Sequence, residues 1–183
     1  MAPPQTARQL VDPGAMLGTV HELDSGLRLG LRLARASDAP RVRAFLERLS
    51  PQTRHRRFFT AVPEVQDRLV EHFTFYDPRA RLVLAATAPV EGVEEIVGLA
   101  DIALVGTGLA ELGLVVDDEH QRQGVGTLLT ESIASLAIQR GATHLKAEML
   151  DGNRGMLQLM QELGPTMQTV EDGNRVVYTR LPS

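Results

Sequence analysis

The amino-acid sequence predicts one α/β (α+β) domain with a mixed, mostly antiparallel central sheet of about six to seven strands and helices on both faces. Three observations support this prediction. Apolar, strand-like runs follow one another between residues 81 and 116, which favours antiparallel pairing. A strand–helix–strand pattern over residues 109–150 favours one parallel pair. Near the C-terminus, Asp172-Gly173 lies between residues 167–171 and 175–181 and predicts a hairpin.

The first part of the chain predicts an arm, one strand and several helices. Residues 1–25 are proline-rich without sustained periodicity, so we expect a loosely ordered N-terminal arm before a domain over residues 26–183. The strict alternation of Leu27–Leu33 predicts a half-buried strand. Polar capping residues and early prolines predict helices that begin near Ser37, Ser50 and Pro63.

The remaining elements follow from apolar periodicity and turn residues. A turn-rich segment, Pro89–Glu94, separates the first two strands of this region. The predicted strands are residues 81–86, 96–105, 109–116, 144–150, 167–171 and 175–181. One helix follows Val125 and stops at Gly141, and a second spans Asn153–Leu163.

Composition and charge exclude several classes of function. The 183 residues carry a formal net charge of −4, which disfavours a general nucleic-acid binder. There is no cysteine, which removes disulfides, thiolate metal sites and cysteine nucleophiles, and the five histidines lack metal-ligand spacing. No apolar run reaches the ~18 residues of a membrane span. The N-terminus lacks the pattern of a secretory signal, so we expect a cytoplasmic protein.

The segment Gln121-Arg122-Gln123-Gly124-Val125-Gly126 joins a predicted strand to a predicted helix. Its glycines let the backbone approach a ligand closely, and the free N–H groups at a helix start bind anions. A P-loop would need Gly-Lys-Ser/Thr, and Leu129 stands where a dinucleotide-binding fold needs a third glycine. A phosphate site of another type and a tight turn without a ligand are both compatible with the segment.

The surroundings of this loop resemble a known family. Gln-x-x-Gly-x-Gly, after a strand with Ala110-Glu111 and before an amphipathic helix, is similar to the cofactor motif of the GNAT superfamily of acyl-CoA-dependent N-acyltransferases. The order of elements resembles this superfamily from about residue 27 to 181, most sharply over residues 109–164. The resemblance implies a GNAT-like fold and transfer of an acetyl group from acetyl-CoA to an amine.

The resemblance also implies how acetyl-CoA binds. Backbone N–H groups of residues 122–127 would hold the pyrophosphate, and the pantetheine arm would extend the sheet where residues 114–116 splay from the next strand. An N–H near Val115 or Val116 would polarise the thioester carbonyl, and Asn153 would bond the pantetheine arm or a water molecule. The implied cofactor-binding residues are Leu114, Val115, Val116, Gln121, Arg122, Gln123, Gly124, Val125, Gly126, Thr127 and Asn153.

Glu111 is the candidate general base. A carboxylate on a mostly apolar strand needs a reason, because burying it unpaired is costly. A lysine amine, with an ordinary pKa near 10.4, must lose a proton before it attacks at pH 7. Superfamily members that use a strand glutamate as base place it at this Ala-Glu position. The alternative is a partly exposed or arginine-paired structural glutamate, with Arg28 or Arg32 as its partner.

The general acid is not evident from the sequence. Many relatives carry a tyrosine seven residues after the helix asparagine, where it protonates the departing thiolate. Met160 occupies this position, and we expect it to pack in the apolar core. A thiol with a pKa of about 8.5 can leave without protonation, or water can supply the proton.

The acceptor is suggested by the segment from Glu47 to Phe59. It is similar to the corresponding segment of bacterial GNAT domains that acetylate protein lysines, so a protein lysine is the leading acceptor. The basic run at residues 54–57 reads as a solvated helix face, and helices over residues 38–73 are expected to form one wall of the acceptor groove. The alternatives are a small-molecule amine acetyltransferase and a non-catalytic acyl-CoA-binding sensor. A homodimer is compatible with the sequence, and no nucleic-acid or membrane partner is expected.

Overall fold

The computed structural model describes residues 16–182, which form one sheet of eight strands in the order β1-β2-β3-β4-β5-β6-β8-β7. Only β5 and β6 pair in parallel. The mixed, mostly antiparallel sheet predicted from the sequence is confirmed. The strands are β1 Val20–Glu22, β2 Arg28–Leu33, β3 Arg81–Val90, β4 Val93–Leu104, β5 Leu109–Val116, β6 His144–Met149, β7 Thr166–Glu171 and β8 Asn174–Arg180.

Five α-helices in the described part of the chain cover the two faces of the sheet. They are α1 Ala39–Arg48, α2 Pro51–Phe58, α3 Asp67–Thr74, α4 Val125–Gln139 and α5 Arg154–Leu163. On one face, α1 and α3 pack on the sheet through the fully buried rings of Phe45 and Phe73. On the other face, α4 and α5 bury Leu129, Ile133 and Met160. Within residues 16–182, no helix has the length and apolar character to cross a bilayer.

Short-range sequence signals explain β2 and the β7–β8 hairpin. Leu29 and Leu31 of β2 are buried, as the strict alternation predicted. The β7–β8 hairpin turns at Asp172 and Gly173, which have φ angles of 49° and 83°. Two consecutive positive φ angles suit the right-handed twist of a two-residue hairpin, and glycine adopts such an angle without strain.

Three boundaries differ from the predictions. The eighth strand, β1, lies within the interval expected as a loose arm, of which residues 1–15 fall outside the described residues. It pairs with the edge of β2 and leaves Val20 62% exposed, so no apolar alternation indicates it. The third helix begins at Asp67 instead of Pro63, because Val65 is buried ahead of it and its carbonyl accepts a hydrogen bond from Arg43 Nη1 at 2.8 Å.

The third difference concerns the turn between β3 and β4. The predicted turn-rich segment Pro89–Glu94 shortens to the two residues Glu91 and Gly92, which both have positive φ angles. Pro89 and Glu94 are paired within the antiparallel ladder. Proline is tolerated at the end of a strand, where its missing N–H costs little.

The start of α1 is fixed by a buried ion pair. Asp38 is 1% exposed and accepts hydrogen bonds from Arg32 Nη1 at 2.7 Å, from Arg32 Nη2 at 2.9 Å and from the Arg35 backbone N–H at 3.0 Å. Burial raises the pKa of Asp38, but the hydrogen bonds from Arg32 and Arg35 outweigh it and hold that pKa below its usual range. The ionised carboxylate therefore stabilises the fold at neutral pH.

We expect Asp38→Asn to lower the free energy of unfolding at pH 7 by about 2–3 kcal/mol, because Arg32 then loses the buried one of its two carboxylate partners and keeps only the exposed Glu94. Since the pKa of Asp38 is depressed by folding, its contribution is present above about pH 4 and is lost as the pH falls through the folded-state pKa. Urea denaturation at pH 7 and at pH 3 measures both. The difference between wild type and variant should shrink at the lower pH, and an equal difference at both would contradict this account.

Candidate active site

A cleft of about 540 Å³ opens where β5 and β6 separate. The two parallel strands pair only over Leu109–Glu111 and His144–Lys146. Beyond this point β5 continues to Val116 beside β4, and its other edge faces the cleft. Parts of α2, α3 and α5 and the loop before α4 complete the walls. The splay expected after the middle of β5 is therefore present.

The loop before α4 forms one end of the cleft. Arg122 has a φ of 57° and Gly124 a φ of 92°, so the backbone turns twice through the left-handed region before the helix begins at Val125. Gly124 meets this demand without strain, because it has no Cβ. The first N–H groups of α4 have no partner within the helix, and N–H groups of this kind, together with the helix dipole, can bind an anion.

The cleft brings together most of the predicted cofactor residues. Gln123 and Val125 are the exceptions, because neither lines the cleft: Gln123 donates to the Glu119 carbonyl at 2.7 Å, and Val125 is fully buried. The predicted residues that do line it are Leu114, Val115, Val116, Gln121, Arg122, Gly124, Gly126, Thr127 and Asn153.

The free edge of β5 presents alternate peptide groups to the cleft. The N–H of Asp117 donates to the Val97 carbonyl at 2.9 Å, which continues the antiparallel register of Val116 with Gly98. Because hydrogen-bonded positions alternate in such a pair, residue 115 directs its N–H toward β4, whereas residues 114 and 116 direct theirs toward the cleft. Of the two oxyanion donors considered from the sequence, only Val116 directs its N–H toward the cleft, because the N–H of Val115 points toward β4. The N–H of Leu114 also faces the cleft.

Gln121 links the loop to α2 in a way that the sequence did not reveal. Its side-chain amide donates to the Val116 carbonyl at 3.0 Å and to Thr53 Oγ1 at 3.2 Å. Thr53 and Ser50 in turn donate to Asp118 Oδ1, each at 2.7 Å. These hydrogen bonds hold the first turn of α2, the end of β5 and the loop in one arrangement.

Glu111 lies in the cleft at the point where the strands separate. Its side chain is 49% exposed, and Oε1 lies 3.4 Å from Lys146 Nζ on β6. Arg32, one of the two arginine partners considered from the sequence, pairs with Asp38 and Glu94 instead. Glu111 is therefore partly exposed, as the alternative considered from the sequence expected, and its ion pair with Lys146 contributes only about 0–1 kcal/mol to stability.

Asn153 and Met160 define the contribution of α5. Asn153 is the N-cap residue just before the helix, not a residue within it, and its Oδ1 accepts from the Met156 N–H at 3.3 Å. Met160 is fully buried, which confirms its expected role in the core. A buried thioether cannot donate a proton to a group in the cleft.

A second group of charged side chains in the cleft was missed by the sequence analysis. Asp101 on β4 is 6% exposed, and its Oδ1 accepts from Arg57 Nη2 at 2.6 Å. Its Oδ2 lies 3.5 Å from Arg81 Nη1 and 3.7 Å from His72 Nε2. Burial raises the pKa of Asp101, but these three neighbours outweigh it and hold that pKa below its usual range. One carboxylate within the apolar run of β4 was the available signal.

Arg57 therefore does not belong to a purely solvated helix face. Its guanidinium lies above Gly113 of β5, where a Cβ would overlap the guanidinium and lie 2.7 Å from Asp101 Oδ1. The rings of Phe58 and Phe73 lie 5.3 and 5.9 Å from its central carbon. Of the helices expected to form the acceptor wall, α2 and α3 contribute to the cleft.

The residues present fit the cofactor that the sequence implied. A strand edge with outward peptide groups leads to a helix N-terminus, and a Cβ at Gly126 would lie 3.3 Å from Leu159 Cδ1, so glycine keeps this part of the cleft open. Such a track suits a long ligand with amides at one end and an anion at the other.

Comparison with known proteins agrees with this geometry. The model of the acetyltransferase (GNAT) family matches residues 42–164. The chain is 28% identical over 163 residues to acetyltransferase PA5475 of Pseudomonas aeruginosa, covering 88% of each protein. The GNAT domain of S. lividans PAT superposes with a TM-score of 0.80 at 29% identity, covering 89% of this chain and 96% of that one.

A third relative was solved with the cofactor. The structure of yncA from Salmonella typhimurium, with its cofactor acetyl-CoA, superposes with a TM-score of 0.64 at 17% identity over 85% of this chain and 95% of that one. This similarity concerns the fold. The family model covers most of the chain and includes the cleft, from α2 to the last turn of α5. The chain belongs to the acetyltransferase (GNAT) family and is an acetyl-CoA-dependent acetyltransferase.

Proposed function

We propose that this protein transfers the acetyl group of acetyl-CoA to a primary amine, that a protein lysine is the leading acceptor, and that Glu111 is the general base. The observation that carries this proposal is the position of Glu111. Its half-exposed carboxylate lies at the point where β5 separates from β6, in the same cleft as the loop before α4. One side chain with free lone pairs thus stands beside the strand edge along which the cofactor would lie.

The loop before α4 would bind the pyrophosphate. The N–H groups of residues 122–127 carry the partial positive charge of the helix start, which contributes about 0.3–1 kcal/mol to anion binding, or up to ~2 kcal/mol when partly buried. Thr127 lies in the first turn and lines the cleft. Asn153, whose Oδ1 caps α5, would donate its amide N–H to the pantetheine arm or to a water molecule.

The edge of β5 would hold the pantetheine arm and the thioester. The arm runs from the loop toward Glu111, so Val116, nearer to the loop, would bond the pantetheine amides. Leu114, nearer to Glu111, would then direct its N–H at the thioester carbonyl and hold the negative charge that develops on its oxygen. Preorganised donors of this kind typically lower a barrier by about 3–4 kcal/mol.

Glu111 would take the proton from the attacking amine, directly or through one water molecule. The amine must be neutral to attack, and at pH 7 a free lysine is almost entirely protonated. When the amine nitrogen bonds to the carbonyl carbon, the C–S bond breaks and the sulfur keeps the electron pair. Among the described residues that line the cleft there is no tyrosine, so the thiolate would leave unprotonated or take its proton from water.

The acceptor would enter on the side of α2 and α3. Both helices contribute residues to the cleft, and α2 lies within the segment whose sequence is similar to GNAT domains that acetylate protein lysines. To test the proposal, the protein is incubated with acetyl-CoA and with separate sets of proteins, peptides and small amines. Free CoA is then measured, together with a mass gain on each acceptor of about 42 Da, the mass of one acetyl group replacing hydrogen. Acetylation of small amines alone would overturn the lysine assignment.

We expect direct transfer, with acetyl-CoA and the amine bound together. The chain has no cysteine to hold the acetyl group as a thioester, and the cleft extends from the loop before α4 to residues of α2 and α3. Initial rates measured at several fixed concentrations of each substrate should give intersecting lines in double-reciprocal plots. Parallel lines, together with an acetylated protein detected by mass spectrometry in the absence of acceptor, would contradict direct transfer.

A further inference from the structure

The acceptor side of the cleft carries more positive than negative charge around Asp101. Arg57, Arg81 and His72 surround the single carboxylate of Asp101. Asp101 is ionised throughout the neutral range, since its pKa lies below its usual value. Two guanidinium groups and one carboxylate leave one positive charge, before His72 is counted.

These cations are held in place. Arg57 is fixed by its 2.6 Å hydrogen bond to Asp101 and by the rings of Phe58 and Phe73. Its side chain is 17% exposed, and Asp101 is its only ion-pair partner within residues 16–182. Arg81 is 27% exposed and contacts His72 through Nη1. A guanidinium carries five N–H donors, so each has donors to spare for a further acceptor.

The cluster lies close to the proposed base. Asp101 faces Gly113 in the β4–β5 register, and Ala103 faces Glu111. The two positions are two residues apart on each strand, a separation of about 7 Å along the sheet. Odd-numbered residues of β5 share one face, so Glu111 and the Arg57 guanidinium above Gly113 lie on the same side of the sheet. A substrate group bound by Arg57 and Arg81 would therefore sit about two residues' length, ~7 Å, from Glu111.

From this juxtaposition we propose that the site selects an acceptor that carries a carboxylate close to the amine. This inference rests on the proposed function and narrows its substrate class. Arg57 and Arg81 bind the carboxylate while Glu111 receives the proton of the amine. The carboxylate comes either from an acidic residue beside the acceptor lysine or from a free amino acid. An acceptor lysine with only neutral or basic neighbours would offer no carboxylate to Arg57 and Arg81.

Peptides that differ only in the residue beside one acceptor lysine test the proposal. With glutamate at that position, kcat/KM should be at least about tenfold higher than with glutamine, as expected for one charge-assisted hydrogen bond. Arg81→Gln should reduce this ratio toward one, and Arg81→Glu should favour a peptide with arginine beside the lysine. The kcat/KM values of free lysine and of lysine amide acetylated on its α-nitrogen, compared in the same assay, show whether the carboxylate of a free amino acid is recognised. The peptides show whether a side-chain carboxylate is recognised.

A matched control is available two residues away. Arg79→Gln makes the same change in charge, but Arg79 is 89% exposed, pairs with Asp77 and does not line the cleft. It should leave the glutamate-to-glutamine ratio unchanged. If Arg81→Gln lowers kcat/KM equally for all peptides, or if wild type shows no preference for the acidic acceptors, the cluster is structural and the inference fails. Absence of transfer to every amine would overturn the proposed function instead.

Discussion

Replacing Glu111 by glutamine is expected to slow turnover near pH 7 by about 10²–10⁴-fold, the usual contribution of a general base. Glutamine keeps the size of the side chain and one acceptor oxygen, but it cannot take a proton. The affinity for acetyl-CoA should stay close to that of wild type, because Glu111 lies away from the pyrophosphate loop. Raising the pH should recover part of the rate, since more of the acceptor amine is then already neutral.

Stability and turnover together separate a catalytic from a structural role. Glu111 loses only a half-exposed ion pair with Lys146 in this variant, so the melting temperature should change little. Glu148→Gln is the matched control, because Glu148 also lines the cleft but belongs to β6 and accepts a hydrogen bond from Asn174 at 2.7 Å. If Glu111→Gln keeps the wild-type rate and pH profile while Glu148→Gln loses them, Glu148 is the base.

The fold class and the loop at one end of the cleft were predictable from the sequence, because both depend on local patterns. Alternating leucines, a two-residue hairpin and the segment from Gln121 to Gly126 each act within a few residues. The position of Glu111 was also visible, as one carboxylate in an apolar strand. Such patterns predict contacts only between residues that are close together in the sequence.

The acceptor side was not predictable in the same way. Arg57 and Asp101 are 44 residues apart in the chain, and His72 and Arg81 belong to two further elements. Only the folded sheet brings the four together, and no periodicity in any one element indicates the partner of another. The same reason explains why Lys146 was not recognised as the neighbour of Glu111, since their contact depends on the short parallel pairing of β5 and β6.

Replacing Gly126 by valine is expected to raise the dissociation constant for acetyl-CoA by about 30-fold or more, which corresponds to the ~2 kcal/mol of a partly buried anion at a helix N-terminus. Gly126 lines the cleft in the first turn of α4, and a Cβ there would already lie 3.3 Å from Leu159 Cδ1. A branched side chain would extend further into the space proposed for the ligand. Calorimetric titration of the folded variant measures the change.

A double variant separates collision with the ligand from a disturbance of packing. Leu159→Ala removes the nearest neighbour of the new side chain and makes room for it. Any fall in melting temperature that Gly126→Val causes by crowding Leu159 should be reduced in the double variant. The affinity for acetyl-CoA should stay low, because the valine still occupies the ligand's space. Leu159→Ala alone measures any contribution of Leu159 to binding. If the double variant recovers the affinity of Leu159→Ala, or if Gly126→Val binds acetyl-CoA as wild type does, the pyrophosphate does not lie at this turn of α4.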